Sequence, residues 1–238
     1  MYHLDIGNKN YSSWSLRPWV LLKALDIPFS EDVIPFHDHE AWAAYRKLAP
    51  SGLVPLLQDG ELLIWDSIAI AEYLAERHKG VWPRDARARA YARSAAAEMH
   101  SGFSTLRAVC GMNIGVRVTL NDAAKARLAA DLARIEVLWL EGLERFGGPY
   151  LGGDRFSAAD AFFCPVAFRV QTYGIALSDK CRAYVDTLLA HPAMREWYEA
   201  GLREPFRDWP HEDEIAAAGT LTADFRAPGI NPRPESRP

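Results

Sequence analysis

The hydrophobic pattern of this chain changes period once, near Gly80, and that change limits the folds open to it. Before it, Tyr2, Leu4 and Ile6 alternate with His3 and Asp5, the period of a strand with one buried face. In LRPWVLLKALDI, Leu16, Val20 and Ala24 recur at helical spacing with Trp19 beside them. Pro18 fits only the first turn of a helix, so this one begins near Ser15. EDVIPF predicts a second strand, and VPLLQ and ELLIW, joined by the preferred hairpin pair Asp59-Gly60, predict a third and a fourth. DSIAIAEYLAERHKG reads as a helix that starts at Asp66 or Ser67. It ends on Arg77, His78, Lys79 and Gly80, where cations and a glycine stop suit the carbonyl end of the dipole.

After GVWPRD no strand pattern is read. Four or five alanine- and leucine-rich segments from Ala86 onward predict a helical bundle. Beyond Trp209 the chain is rich in proline and short of large apolar residues, which predicts a tail or an arm laid over the surface. The expected division is residues 1–80, a linker at 81–87, an all-helical domain at 88–210 and a tail at 211–238. In the bundle, Ser157 and Asp160 stand at capping-box spacing and read as structural.

A length of 238 residues with 49% hydrophobic content suits two such units. The net charge of −4 lacks the basic excess that phosphate neutralisation requires, which argues against a nucleic-acid partner. No apolar run approaches a membrane span, and MYHLDIGNKN lacks the features of a signal peptide. Cys110, Cys164 and Cys181 are scattered and without metal-ligand spacing, so core thiols, no metal and a cytoplasmic location are expected.

The stretch YSSWS is the chemical anomaly. Serine caps helices well, which accounts for one hydroxyl, but Tyr11, Ser12, Ser13 and Ser15 crowd the start of one helix. Ser12 and Ser15 also stand at the spacing of a C-x-x-C motif with both sulfurs replaced by oxygen, which excludes a dithiol redox cycle.

YSSWSLRPWVLLKAL, APSGLVPLLQDGELLIWDSIAIAEYL and FSAADAFF occur in that order, and together they resemble the cytosolic glutathione transferase superfamily over residues 1 to 210. The first is similar to the serine-type active-site segment and is closest to the zeta class, with Trp14 in place of that class's cysteine. The resemblance implies a thioredoxin-like α/β N-terminal domain followed by an all-α helical bundle, with glutathione as co-substrate and a homodimer as the working assembly.

The resemblance also implies the site. Ser12 is aligned as the donor to the glutathione sulfur, with Ser13 nearby and Tyr11 as its rival. Val54 ahead of a cis-Pro55 pairs with the peptide, while Trp14, which departs from the family pattern, is expected from its place beside Ser13 to form an apolar wall. Asp66 takes the ammonium and Ser67 the γ-glutamyl carboxylate, while Lys47, His37 and His39 are open choices for the glycyl carboxylate. His100, Phe103 and Arg107 either border the second substrate's pocket or belong to the core and a solvated face. The chemistry stands without the name: a thiol of pKa about 8.5 is mostly protonated at neutral pH, and a hydroxyl at a helix N-terminus stabilises the thiolate that acts as nucleophile. Transfer of the sulfur to an electrophilic carbon is the leading expectation. Glutathione-dependent cis-trans isomerisation of a diketo acid and a non-catalytic binding module are the alternatives.

Overall fold

The computed structural model describes residues 1–231 and 233. Strand β1 (Tyr2–Gly7), helix α1 (Ser13–Ala24), strand β2 (Phe29–Ile34), helix α2 (His39–Leu48), the hairpin β3 (Leu56–Asp59) and β4 (Leu62–Ile64), and helix α3 (Ser67–Ala75) make the first layer. The sheet order is β2-β1-β3-β4. β1 and β2 run parallel, whereas β3 is antiparallel to both of its neighbours. The strands sit as expected, but α2 answers a segment that was read only for its charges. Its side chains Trp42 and Tyr45 form a small core with Ala49 and Leu56, while Leu4 and Ile6 of β1 join the main core with α1 and α3.

Helices α4 (Ala86–Ser101), α5 (Ser104–Val109), α6 (Asp122–Phe146), α7 (Ala158–Tyr173), α8 (Asp179–Ala190) and α9 (Pro192–Arg203) build the second layer. Two segments read as continuous helices are broken. Phe103 takes a left-handed conformation (φ 54°) between α4 and α5, and Pro192 starts α9 where its missing N–H costs nothing. Helix α7 is buried along nearly its whole length and packs against α1. Its capping box is as expected: Asp160 accepts from the Ser157 amide at 2.9 Å and the Ser157 hydroxyl at 3.0 Å, and also from the Leu151 amide and the Tyr184 hydroxyl.

The expectation of helices alone beyond Ala86 is corrected by a two-stranded ribbon, β5 (Val116–Leu120) paired antiparallel with β6 (Gly219–Asp224). VRVTL does alternate: Val116, Val118 and Leu120 are buried, and Arg117 and Thr119 lie between them. The tail is corrected with it. Residues Trp209–Ala218 form helix α10, capped by Asp208, and β6 follows directly. Positions 232 and 234–238 of the expected tail lie outside the described residues.

Candidate active site

The loop from β1 to α1 is held from several directions. Asn8 Oδ1 accepts from the Phe36 amide at 2.8 Å, Asn10 Oδ1 accepts from the Gly115 amide at 3.1 Å, and Asn10 Nδ2 donates to Asn113 at 2.9 Å. Glu204 takes the Lys9 and Asn10 amides, and Trp197 Nε1 donates to the Lys9 carbonyl. Buried amides need such partners, so the polar spelling NKN is what lets this loop sit under the helical layer. Gly7 is required by close approach, because a Cβ there would lie 2.6 Å from the Phe36 ring and 3.2 Å from Ser12 Cβ.

Ser12 is the N-cap of α1. Its Oγ accepts from the Ser15 amide at 3.4 Å and lies 2.7 Å from Ser15 Oγ, which in turn accepts from the Gly7 amide at 3.1 Å. Ser12 and Ser13 border a cavity of about 310 Å³ with Tyr11, Trp14, Val54 and Arg107. Eight further residues of its wall went unassigned in the sequence, among them Arg169 of α7, Met112, and His211 and Glu214 of α10. The signal for Arg169 was present, a single arginine within the otherwise apolar AFFCPVAFRV. No comparable signal marks His211, whose ring stacks on Phe36 at 5.5 Å and lies 5.2 Å from Tyr11, with Nδ1 paired to Asp208. A larger cleft of about 870 Å³ near the linker is lined by the turns around Gly80 and Gly147 and carries none of these groups.

Tyr11 is differently placed from Ser12. Its hydroxyl donates to Glu212 at 2.6 Å and accepts from the Asp208 amide and Arg226, all from the C-terminal segment. Burial first, then the Glu212 carboxylate, push its pKa well above the ordinary phenol value.

Val54-Pro55 is a cis peptide, as the resemblance implies. Asp66 caps α3, accepting from the Ile68 amide at 3.1 Å, and pairs with His100 Nε2 at 3.2 Å. Ser67 is buried in the first turn, with its Oγ 3.5 Å from Arg17 Nη1. Arg17 and Arg107 stack over Trp14, their guanidinium carbons 4.2 and 4.6 Å from the ring centroid, and His100 meets the same ring edge-on at 5.3 Å. Phe103 is buried and His100 is half-buried beside Trp14, so of the three expected pocket residues only Arg107 lines the cavity. Lys47 is exposed on the last turn of α2 and off the cavity wall, while His37 stacks on Phe206 at 4.1 Å.

Two family matches cover most of the chain: Glutathione S-transferase, N-terminal domain, over residues 11–77, and Glutathione S-transferase, C-terminal domain, over residues 85–200. The chain belongs to the glutathione S-transferase family. It is 28% identical to glutathione S-transferase T2 of Arabidopsis thaliana over 82% of its own length, but spans only 33% of that longer relative. It is 29% identical to a probable maleylacetoacetate isomerase of Caenorhabditis elegans, covering 70% of this chain and 77% of that one. Among solved structures it resembles the theta class glutathione S-transferase of Xanthomonas axonopodis pv. citri, which was solved with glutathione bound. The TM-score is 0.63 at 25% identity, over 83% of this chain and 96% of that one. Helix α10, strand β6 and therefore His211 and Glu214 lie beyond the matched domains.

Proposed function

We propose that this member of the family is a glutathione transferase in which the Ser12 hydroxyl stabilises the glutathione thiolate for attack on an electrophilic carbon. The observation that carries this reading is the contrast between neighbours. Among the described residues Ser12 borders the cavity with only Ser15 as its side-chain partner, whereas the Tyr11 hydroxyl is committed to Glu212.

The serine pair supports a short relay. Ser12 Oγ donates to Ser15 Oγ, which also accepts from the Gly7 amide; rotation of the two hydroxyls on glutathione binding lets Ser15 donate to Ser12 Oγ and turns the Ser12 proton, still bonded to oxygen, toward the sulfur. Lowering a thiol pKa by about 2 units requires roughly 2.7 kcal/mol, within reach of one charge-assisted hydrogen bond and a helix N-terminus. Sulfur then forms its bond to carbon as the leaving group departs with its electron pair.

In this reading the γ-glutamyl end of glutathione sits at the start of α3, with Asp66 taking the ammonium and Ser67 and the helix amides the carboxylate. The Val54 backbone pairs with the cysteinyl unit. Trp14 walls the site. A homodimer and a cytoplasmic location belong to the same reading: Leu62 and Trp65, exposed beside α3, offer apolar surface to a second copy, and all three cysteines are free thiols. No helix among the described residues is long and apolar enough to cross a membrane.

A second reading, glutathione-dependent isomerisation of a conjugated diketo acid, is favoured by the cationic wall of Arg107 and Arg169 together with the isomerase relative. Glutathione is regained at the end of that cycle, so net consumption of glutathione separates the two. The test of both is Ser12→Ala. Turnover should fall about ten- to hundredfold with glutathione affinity nearly unchanged, and an unaltered rate would remove Ser12 from the chemistry.

A further inference from the structure

Two arginines, Arg107 and Arg169, line the cavity and a third, Arg17, lies against Trp14, with too few anions to match them. Arg169 is buried on α7, its Nε donating to the Cys110 carbonyl at 2.7 Å, and Arg107 Nη2 donates to the carbonyls of His100 and Gly102 at 2.8 Å. Arg17 is 1% exposed behind Trp14. None of the three makes a salt bridge among the described residues, and Arg17 Nε and Arg107 Nη1 are buried without a hydrogen-bond partner. Burial lowers the pKa of all three, that of Arg169 to about 10, and their mutual repulsion adds to it at Arg17 and Arg169.

The opposing charges are Asp66, which is engaged with His100, and Glu214, which lines the cavity near Arg169 but lies beyond salt-bridge distance of it. Uncompensated buried guanidinium groups are costly, and they persist where an anion completes them. Arginine also holds carboxylates through paired donors.

We propose that the second-substrate pocket facing Ser12 selects electrophiles that carry a carboxylate, held by Arg107 together with Arg169. This rests on the glutathione reading above and adds the substrate class. Ser12 and Ser13 place the sulfur at one wall, and the two arginines hold the acid at the other, so the electrophilic carbon lies between them. In a chloronitrobenzoate, for example, the sulfur–carbon bond forms at the ring carbon bearing chlorine, chloride leaves with the electron pair, and the carboxylate stays ionised throughout.

The probes are the S-aryl glutathione conjugates of a chloronitrobenzoate and of the matching chloronitrobenzamide, with calorimetric binding as the readout. In the wild-type protein the acid conjugate should bind at least about tenfold more tightly than the amide, the size expected of a hydrogen bond to a charged group. Arg107→Gln should bring the ratio to about threefold or less with the amide conjugate little affected, and Arg107→Lys should restore part of it. Turnover should follow the same order, although the amide ring is intrinsically the more electrophilic. Equal binding of acid and amide to the wild-type protein overturns the proposal. It is also overturned if Arg107→Gln weakens free glutathione as much as the acid conjugate, because the arginine then serves the peptide's own carboxylate. If Arg107→Gln does not fold, the wild-type ratio decides. Failure of free glutathione to bind sinks the preceding reading instead, and chloronitrobenzoate against chloronitrobenzamide, without the peptide, then tests the arginines by the same titration.

Discussion

The two walls of the Ser12 cavity are built in opposite ways. The first is local: Gly7, Ser12 and Ser15 hydrogen-bond to one another within the turn that starts α1. The second is assembled from distant segments, with Arg107 from α5, Arg169 from α7, and His211 and Glu214 from α10. A local wall needs only its own helix cap to form. The distant wall needs the capping box of α7 and the anchoring of the C-terminal segment, so the two should be separable by substitution.

The largest effect is expected at Asp160, which is fully buried and accepts from two amides and two hydroxyls. Asp160→Ala orphans these donors and should cost about 3 kcal/mol or more, read as a shift of the denaturant midpoint. A loss under about 1 kcal/mol would mean that α7, and Arg169 with it, is positioned by packing alone.

Glu212→Ala should cost less, about 2 kcal/mol. It removes the acceptor of Tyr11 and leaves Asp224 as the one ion-pair partner of the nearly inaccessible Arg226 among the described residues. This change should loosen α10 and alter the second-substrate KM while sparing the thiol chemistry at Ser12. A matching loss of thiolate formation would show that the walls are not separable.

The smallest effect concerns acid. Burial alone would raise the Asp224 carboxyl, but its hydrogen bonds to Arg226 outweigh that and hold it below the usual carboxylate range. A depressed pKa contributes stability above the unfolded value of about 4 and loses it as pH falls through the folded value. Hydrogen exchange of the β6 amides should therefore accelerate below about pH 4 before exchange in α7 does, and Asp224→Asn should abolish that selective acid response. Uniform acceleration of both elements would place the acid-sensitive group elsewhere.

What was legible in the sequence follows the same division. The hairpin at Asp59-Gly60, the cis-Pro55 strand and the Ser157–Asp160 box are written in neighbouring residues, and each stands where it was read, whereas α1 starts at Ser13, ahead of the expected Ser15, with Pro18 inside it. Helix α2 was also written locally, in the Asp38 cap and the buried spacing of Trp42 and Tyr45, but went unread beside its many charges. Strand β6 is different. Its Leu221 is exposed, and its strand form comes from pairing with β5, roughly a hundred residues away. The fate of the Tyr11 hydroxyl was equally hidden, because its partners Glu212, Asp208 and Arg226 lie in a segment read as a tail. A hydroxyl's availability depends on what the fold brings to it, and here the fold brings Glu212 to Tyr11 and Ser15 to Ser12.

Ultraviolet titration of the thiolate in glutathione-saturated protein tests the division between Ser12 and Tyr11 most directly. The wild-type protein should titrate below the free thiol value of about 8.5, Ser12→Ala should return it upward by about 1–2 units, and Tyr11→Phe should leave it in place. A titration unmoved by Ser12→Ala but raised by Tyr11→Phe would make the tyrosine the donor to sulfur and contradict the assignment of Ser12.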